Sequence, residues 1–373
     1  MKLHSPLCDL FGIEYPIVLA GMGGASTPEL AAAVSNAGGL GVLGAAACQP
    51  EQLREWIQRT RALTDKPFGV DTLLPASVRR TAQTQGDGRV DPADQLADHL
   101  KFARDFMDQE DLHTPINHGG GQTTNGGNLQ VFSKEFFDAQ MQVIIEERVP
   151  VYAAGLGNPG PWMAELRYNG TRVMAVVGAV RHAIQVAAIG LDAIVAQGHD
   201  AGGHNSPVGA MALIPQVVDA VGNIPVLGAG GIGDGRGVAA AMMLGAAGGW
   251  IGTAFLAAEE SGIAQHQKQA LVDGTEEGTV ISRSVTGKPA RIIRSKWTDA
   301  WEQADIQPLP MPYQGMVSGP VMAAAGAAHR ADINPGFAGQ GMGLIKSIRP
   351  AADILREIVE TAEASLSRAT YFI

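Results

Sequence analysis

The stretch Ile224–Phe255, IPVLGAGGIGDGRGVAAAMMLGAAGGWIGTAF, decides the fold. It reads as a short buried strand, a glycine turn, a helix and a second strand ending in Gly252-Thr253. Gly228, Gly230, Gly231 and Gly233 let the backbone turn sharply and approach a ligand closely. The helix opening near Asp234-Gly235 is expected to point its first N–H groups and its positive dipole end at an anion. Such a unit suits a phosphate. Gly228-x-Gly230-x-x-Gly233 matches the dinucleotide fingerprint in form, but that motif wants an acidic residue about 20 positions further on. The next strand ends in Ile251-Gly252-Thr253-Ala254, with no acid. The other reading is the phosphate site after the seventh strand of a (β/α)8 barrel. A bare βα turn rarely needs so many glycines.

Working outward, apolar strand-like runs alternate with helical patterns, which predicts a parallel sheet covered by helices. The runs are Ile17–Ala20, Leu40–Leu43, Phe68–Asp71, Val151–Ala154, Arg172–Val177, Ala193–Gln197, Pro225–Gly228 and Trp250–Thr253. Eight strands with intervening helices make a TIM barrel of the α/β class, preferred over an open doubly wound sheet because the glycine turn follows the seventh strand. Two segments break the rhythm. An insertion at about 75–132 carries a charged helix candidate, Pro92–Gln109, and the loop HTPINHGGGQTTNGGN. It follows strand 3, so it is expected on the catalytic face as a lid, the alternative being a surface excursion. The second break holds VISRSVTGKPARIIRS and PLPMPYQGM. The expected division is a barrel over 1–258, a small, mainly helical second domain over 259–335, and a segment over 336–373 that returns to the barrel with the amphipathic helix Ala351–Ala364.

Composition narrows the class. Of 373 residues, 46% are apolar and 17% charged, so the chain is globular. Net charge is −10, with no basic cluster, which argues against nucleic-acid binding. Two cysteines, Cys8 and Cys48, lack metal spacing and point to a reducing compartment. No signal-peptide h-region and no apolar run of about 18 residues is visible, so the expectation is a cytoplasmic protein without a membrane span.

A barrel places its active site at the C-terminal ends of the strands. That rule selects Gly21-Met22-Gly23-Gly24, Asp71, Arg181-His182 and the run from Gln197 through Gly202-Gly203-His204, besides the glycine turn. His204 lies in a glycine-flanked loop where an imidazole can face a ligand and move protons near neutrality; the bland reading is a surface histidine. His182 could cap, pack or line the pocket. His199 reads as structural, and nothing pairs His113 or His118 as metal ligands. There is no HExxH, no metal-spaced cluster and no GxSxG elbow.

Taken together, Gly21-Met22-Gly23, Lys66-Pro67-Phe68-Gly69-Val70-Asp71, Val195-Ala196-Gln197-Gly198, Ala201-Gly202-Gly203-His204, Asp234-Gly235-Arg236-Gly237, Gly252-Thr253-Ala254-Phe255 and Gly339-Gln340-Gly341-Met342-Gly343 resemble the nitronate monooxygenases, once called 2-nitropropane dioxygenases. That family includes NAD(P)H:quinone reductases and is similar to the flavin-dependent enoyl-ACP reductases. The resemblance implies a flavoprotein with non-covalent FMN. Its phosphate would sit on Gly230, Gly231, Gly252 and Thr253, with Ala20, Gly21, Met22, Asp71, Gln197, Gly202 and Gly203 near the ring and ribityl chain. In nitronate-oxidising members the histidine matching His204 is the base or anion partner; another branch uses the one matching His182. Many members carry asparagine where this chain has Asp71, and a carboxylate there would repel an anionic ligand unless protonated or paired.

The leading expectation is therefore an FMN-dependent oxidoreductase oxidising alkyl nitronates with O2 to a carbonyl compound and nitrite. The alternative is an NAD(P)H-dependent reductase of a quinone or enoyl thioester. A barrel that keeps FMN without catalysis fits the intact glycine turns and His204 poorly. A flavin-free aldolase lacks a lysine at any recognised strand end. The implied partners are a small-molecule substrate and O2, and a homodimer is compatible with the sequence.

Overall fold

The computed structural model describes residues 2–74, 92–113, 133–369 and 371. The strands are β1 (Ile17–Leu19), β2 (Gly41–Gly44), β3 (Phe68–Leu73), β4 (Val151–Leu156), β5 (Arg172–Val177), β6 (Ala193–Gln197), the two-residue β7 (Gly203–His204), β8 (Val226–Ala229) and β9 (Gly248–Ile251). All but β7 form one parallel sheet in the order β1-β9-β8-β6-β5-β4-β3-β2. A parallel bridge between Val18 and Leu40 joins its two ends. The ring closes, and the eight strands expected from the apolar runs form the TIM barrel.

Side chains alternate across each strand. Val18, Val42, Val151, Ala153, Met174, Val195 and Leu227 belong to one apolar cluster that fills the barrel. Leu7, Cys8 and Phe11 of α1 (Pro6–Phe11) join it. They enter beside Gly248 at the N-terminal end of β9, where an added Cβ would lie 3.0 Å from Leu7. The alternate residues Phe68, Tyr152, Val173, Ile194 and Val226 pack outward. They meet α3 (Pro50–Leu63), α5 (Lys134–Glu146), α6 (Met163–Tyr168), α7 (Val180–Ala187) and α8 (Ala210–Val221). The other flank is covered by α2 (Pro28–Asn36), α9 (Gly235–Met243) and the last helix, α14 (Ala351–Ala369). α14 approaches α9 so closely that a Cβ on Gly235 would lie 2.0 Å from the Ile358 carbonyl oxygen, which requires glycine.

The helix α4 (Pro92–Gln109) lies in the insertion after β3. It packs against α12 (Lys296–Gln303) and α13 (Tyr313–Ala327), where Phe106 and Met107 meet Trp297, Trp301, Val317 and Val321. The Phe102 and Trp301 ring centroids are 4.6 Å apart, and those of Phe106 and Trp297 5.0 Å. Such contacts hold aromatic edges and faces together beyond the burial itself. At the end of α4, Glu110 is bound by Lys296 at 2.8 Å and Arg330 at 2.7 Å. Between α11 (Gln265–Val272) and α12 runs an antiparallel hairpin of β10 (Thr279–Ser282) and β11 (Ala290–Ile293). β11 also pairs with β7, setting Ala290 opposite His204. Residues 75–91 and 114–132, which include His118 and all but the first residue of the expected loop, lie outside the described residues.

Candidate active site

The innermost side chains at the C-terminal ends of the strands open into one cavity of about 1300 Å³. Its lining includes Ala20, Gly21 and Met22 after β1, Asp71 of β3 and Gln197 of β6. It also includes Gly202, Gly203 and His204, then Gly230 and Gly231 after β8, and Gly252 and Thr253 after β9. The fold thus brings every residue that the resemblance implies for the site, except His182, to one place, whereas Arg181 and His199 also lie outside the lining. His182 is the third residue of α7, half-buried, and is not among the lining residues.

The turn after β1 is fixed by Ser26, whose hydroxyl donates to the Ala20 carbonyl at 2.9 Å and accepts the Met22 N–H at 3.2 Å. Asp71 is 8% exposed and accepts a hydrogen bond from the Gly155 N–H. Two glycines make room for its carboxyl. A Cβ on Gly21 would lie 2.2 Å from the Asp71 Cβ, and one on Gly155 would lie 2.4 Å from Oδ1. Burial pushes the Asp71 carboxyl well above the usual carboxylate range, against the weaker opposing effect of the Gly155 N–H.

The Gln197 amide donates to the His204 carbonyl at 2.8 Å and so ties β6 to β7. The His204 ring places Nε2 2.9 Å from Thr286 Oγ1. Thr286 donates its hydroxyl proton to the Lys288 carbonyl at 3.2 Å and accepts the Lys288 N–H at 3.3 Å. The one Thr286 hydroxyl proton serves either the Lys288 carbonyl or His204 Nε2, and the ring tautomer follows that choice. Burial, assisted by the Lys288 charge, pulls the His204 pKa down to about 4. The imidazole is neutral at physiological pH.

The glycine turn departs from the sequence expectation in one respect. The N-terminus of α9 does not face a ligand with open N–H groups. Asp234 caps it by accepting the Arg236 N–H at 2.9 Å, and the Gly235 N–H goes to Thr361 Oγ1 at 3.1 Å. A capping carboxylate already occupies the positive end of the dipole. The anion-binding capacity lies one turn earlier. Gly230 and Gly231 have φ of 100° and 68°. Among the described residues, the N–H groups of Gly230, Gly231, Gly252 and Thr253 meet no acceptor. Thr253 Oγ1 also accepts the Gly339 N–H at 2.9 Å, drawing the C-terminal glycine segment onto this wall. No lysine or arginine lines the cavity among the described residues, so a phosphate here would be held by backbone dipoles.

Sequence reasoning passed over several lining residues. Gly155 stands at a strand end and could have been found by the rule that found Asp71. Thr286, Met316, Met322, Ala323 and Phe337 come from elements whose approach to the barrel is set by long-range packing. Cys48 lines the wall too, but burial pushes its thiol up to about 12, which leaves it a poor nucleophile. Among the described residues no His/Cys/Asp/Glu group could hold a metal ion, and no helix is long and apolar enough to cross a membrane.

Known proteins resemble this chain over nearly its whole length. The family model described as nitronate monooxygenase matches residues 4–361. A Mycobacterium tuberculosis protein with a monooxygenase assignment is 37% identical over 371 residues, covering 96% of each chain. A Staphylococcus saprophyticus protein named "Probable nitronate monooxygenase" is 31% identical over 381 residues, covering 99% of this chain and 100% of the relative. The structure of nitroalkane oxidase from Streptomyces ansochromogenes superposes with a TM-score of 0.78 at 31% identity, covering 98% of this chain and 99% of that one. Sequence, barrel and cavity agree: the chain belongs to the nitronate monooxygenase family and is an oxidoreductase.

Proposed function

We propose that the protein is an FMN-dependent nitronate monooxygenase that oxidises alkyl nitronates with O2 to a carbonyl compound and nitrite. The observation that carries this reading is a neutral histidine, His204, in the same cavity as a cradle of backbone N–H groups at Gly230, Gly231, Gly252 and Thr253. The residues fit FMN. The cradle suits its phosphate, and Gly21 and Gly155 leave space that a Cβ would fill. Bound flavin would supply the electron acceptor. The protein's part is geometry and charge. The backbone from Ala20 to Met22, with Asp71, Gln197, Gly202 and Gly203, would border the ring and ribityl chain. The neutral His204 imidazole would take the α-carbon proton of a neutral nitroalkane or, with its hydrogen-bonding ring, orient a nitronate already ionised. His204 is preferred over His182 as the base because it lines the cavity and His182 does not.

One observation favours a second reading, an NAD(P)H-dependent reductase of a quinone or enoyl thioester. Beyond the strand ends the cavity continues along α13, against Met316, Met322 and Ala323, and past Phe337. At about 1300 Å³ it exceeds the roughly 300–1,000 Å³ of ordinary ligand pockets and offers a bulky apolar substrate a chamber. Anaerobic absorbance of the purified protein separates the two. Rapid flavin reduction by a small alkyl nitronate alone supports the monooxygenase. Rapid bleaching by NADPH alone moves the assignment to the reductase, and a colourless protein that takes up no FMN overturns both.

A further inference from the structure

We propose that Asp71 is a neutral carboxylic acid in the folded protein at physiological pH and acts as a hydrogen-bond donor from the cavity wall to an acceptor atom of the conjugated ring bound there. Its place in the barrel carries the argument. The carboxyl is 8% exposed, borders the cavity and receives one hydrogen bond, from the Gly155 N–H. No lysine, arginine or histidine of the described residues forms an ion pair with it.

Among the described residues, the surrounding elements offer it no compensating charge. β2 presents Gly44, its register partner, and the turn after β1 presents Gly21. β4 presents Ala153 and Gly155 and, directed outward, Tyr152, whose hydroxyl is 2.9 Å from Thr72 Oγ1. Among the described residues, two further titratable groups share the cavity, His204 and Cys48. Burial holds the first neutral and the second protonated, as it does the Tyr152 phenol. An ionised carboxylate here would leave most of its acceptor sites empty and its charge unpaired, which protein interiors avoid by neutralising the group. A carboxylic acid needs less. One oxygen accepts from Gly155, and the O–H is left to point into the cavity. A donor there attracts an anionic ligand, where a carboxylate would repel it. An asparagine at this position would offer the same pairing of one acceptor with one donor.

The identity of the ring as a flavin rests on the proposed function; the protonation of Asp71 does not. Infrared spectroscopy of the purified protein at pH 7 reads protonation directly, because exposed carboxyls are ionised by then. The expected result is a protonated-carboxyl C=O band that disappears in Asp71→Asn. Its absence from the wild type, or its persistence in the variant, overturns the protonation. Stability gives a second readout. A carboxyl whose folded pKa is raised contributes stability fully present below its unfolded pKa, near 4, and lost as pH rises toward the folded pKa. The wild-type folding constant should therefore fall relative to Asp71→Asn by about tenfold per pH unit between pH 5 and 7. Parallel curves overturn the proposal. The donor role is read by flavin retention: Asp71→Ala should weaken it at least tenfold while Asp71→Asn leaves it unchanged. Equal retention in all three overturns that role, whereas a wild type that takes up no flavin but shows the band removes the flavin reading and leaves the protonation standing.

Discussion

A histidine serves as a base only where its pKa lies below the working pH, and His204 meets that condition by burial, with the Lys288 charge adding to it. The sign follows from the direction of the shift. With a folded pKa near 4, below the ordinary value of 6.5, the ring stays neutral throughout the physiological range and takes a proton only in acid. The His204 limb of the kcat/KM profile for a neutral nitroalkane should therefore fall below about pH 5, and a limb near 6.5 would contradict the assignment. General-base removal typically costs about 10²–10⁴-fold in rate. His204→Asn should show such a loss with neutral nitroalkane and a distinctly smaller one with the preformed nitronate, which needs no proton abstraction. Steady-state assays on the two forms of one substrate decide it. At the cradle, Gly231→Ala forces a side chain into a left-handed backbone at φ 68°. It should destabilise the fold by about 1–2 kcal/mol and weaken FMN binding at least tenfold, as read by thermal melts and flavin titration.

At the scale of elements, the outer chamber depends on α13, whose Met316, Met322 and Ala323 face the cavity. Filling it tests which substrate class uses it. Ala323→Phe should raise the KM of long apolar substrates several-fold while leaving the smallest nitronates within about twofold. Equal effects on both would show that the chamber is not a substrate subsite. The same elements show what the sequence made legible. All eight barrel strands could be read, because each is a short apolar run bounded by turn residues, and most of the cavity followed from the rule that barrel sites gather at strand ends. The partner of His204 could not be read. β7 is two residues long, and its pairing with β11 joins segments about 85 residues apart, which no local periodicity records. The helix does open at Asp234-Gly235 as read, but that its Gly235 N–H is taken by Thr361 of α14 and not offered to an anion could not be read for a related reason.

In the whole molecule, several distant segments are tied together around the cavity. His204 hangs on the β10–β11 hairpin, Thr253 holds the C-terminal segment through the Gly339 N–H, and α4 from the insertion after β3 is packed into α12 and α13. A ligand seated on the strand ends touches groups fixed by all of these, so its binding energy should be felt by the entire fold. On the proposed function, saturating FMN at about 100 times its Kd should add roughly 2.7 kcal/mol to the stability of the folded state. For a chain of 373 residues, unfolding entropy scales with length, and that increment corresponds to a rise in Tm of roughly 3–4 °C. Differential scanning calorimetry of apo protein against an FMN series should show one transition moving upward with the logarithm of FMN concentration. Two transitions, of which only one responds, would mean that the segments packed over the strand ends unfold independently of the barrel.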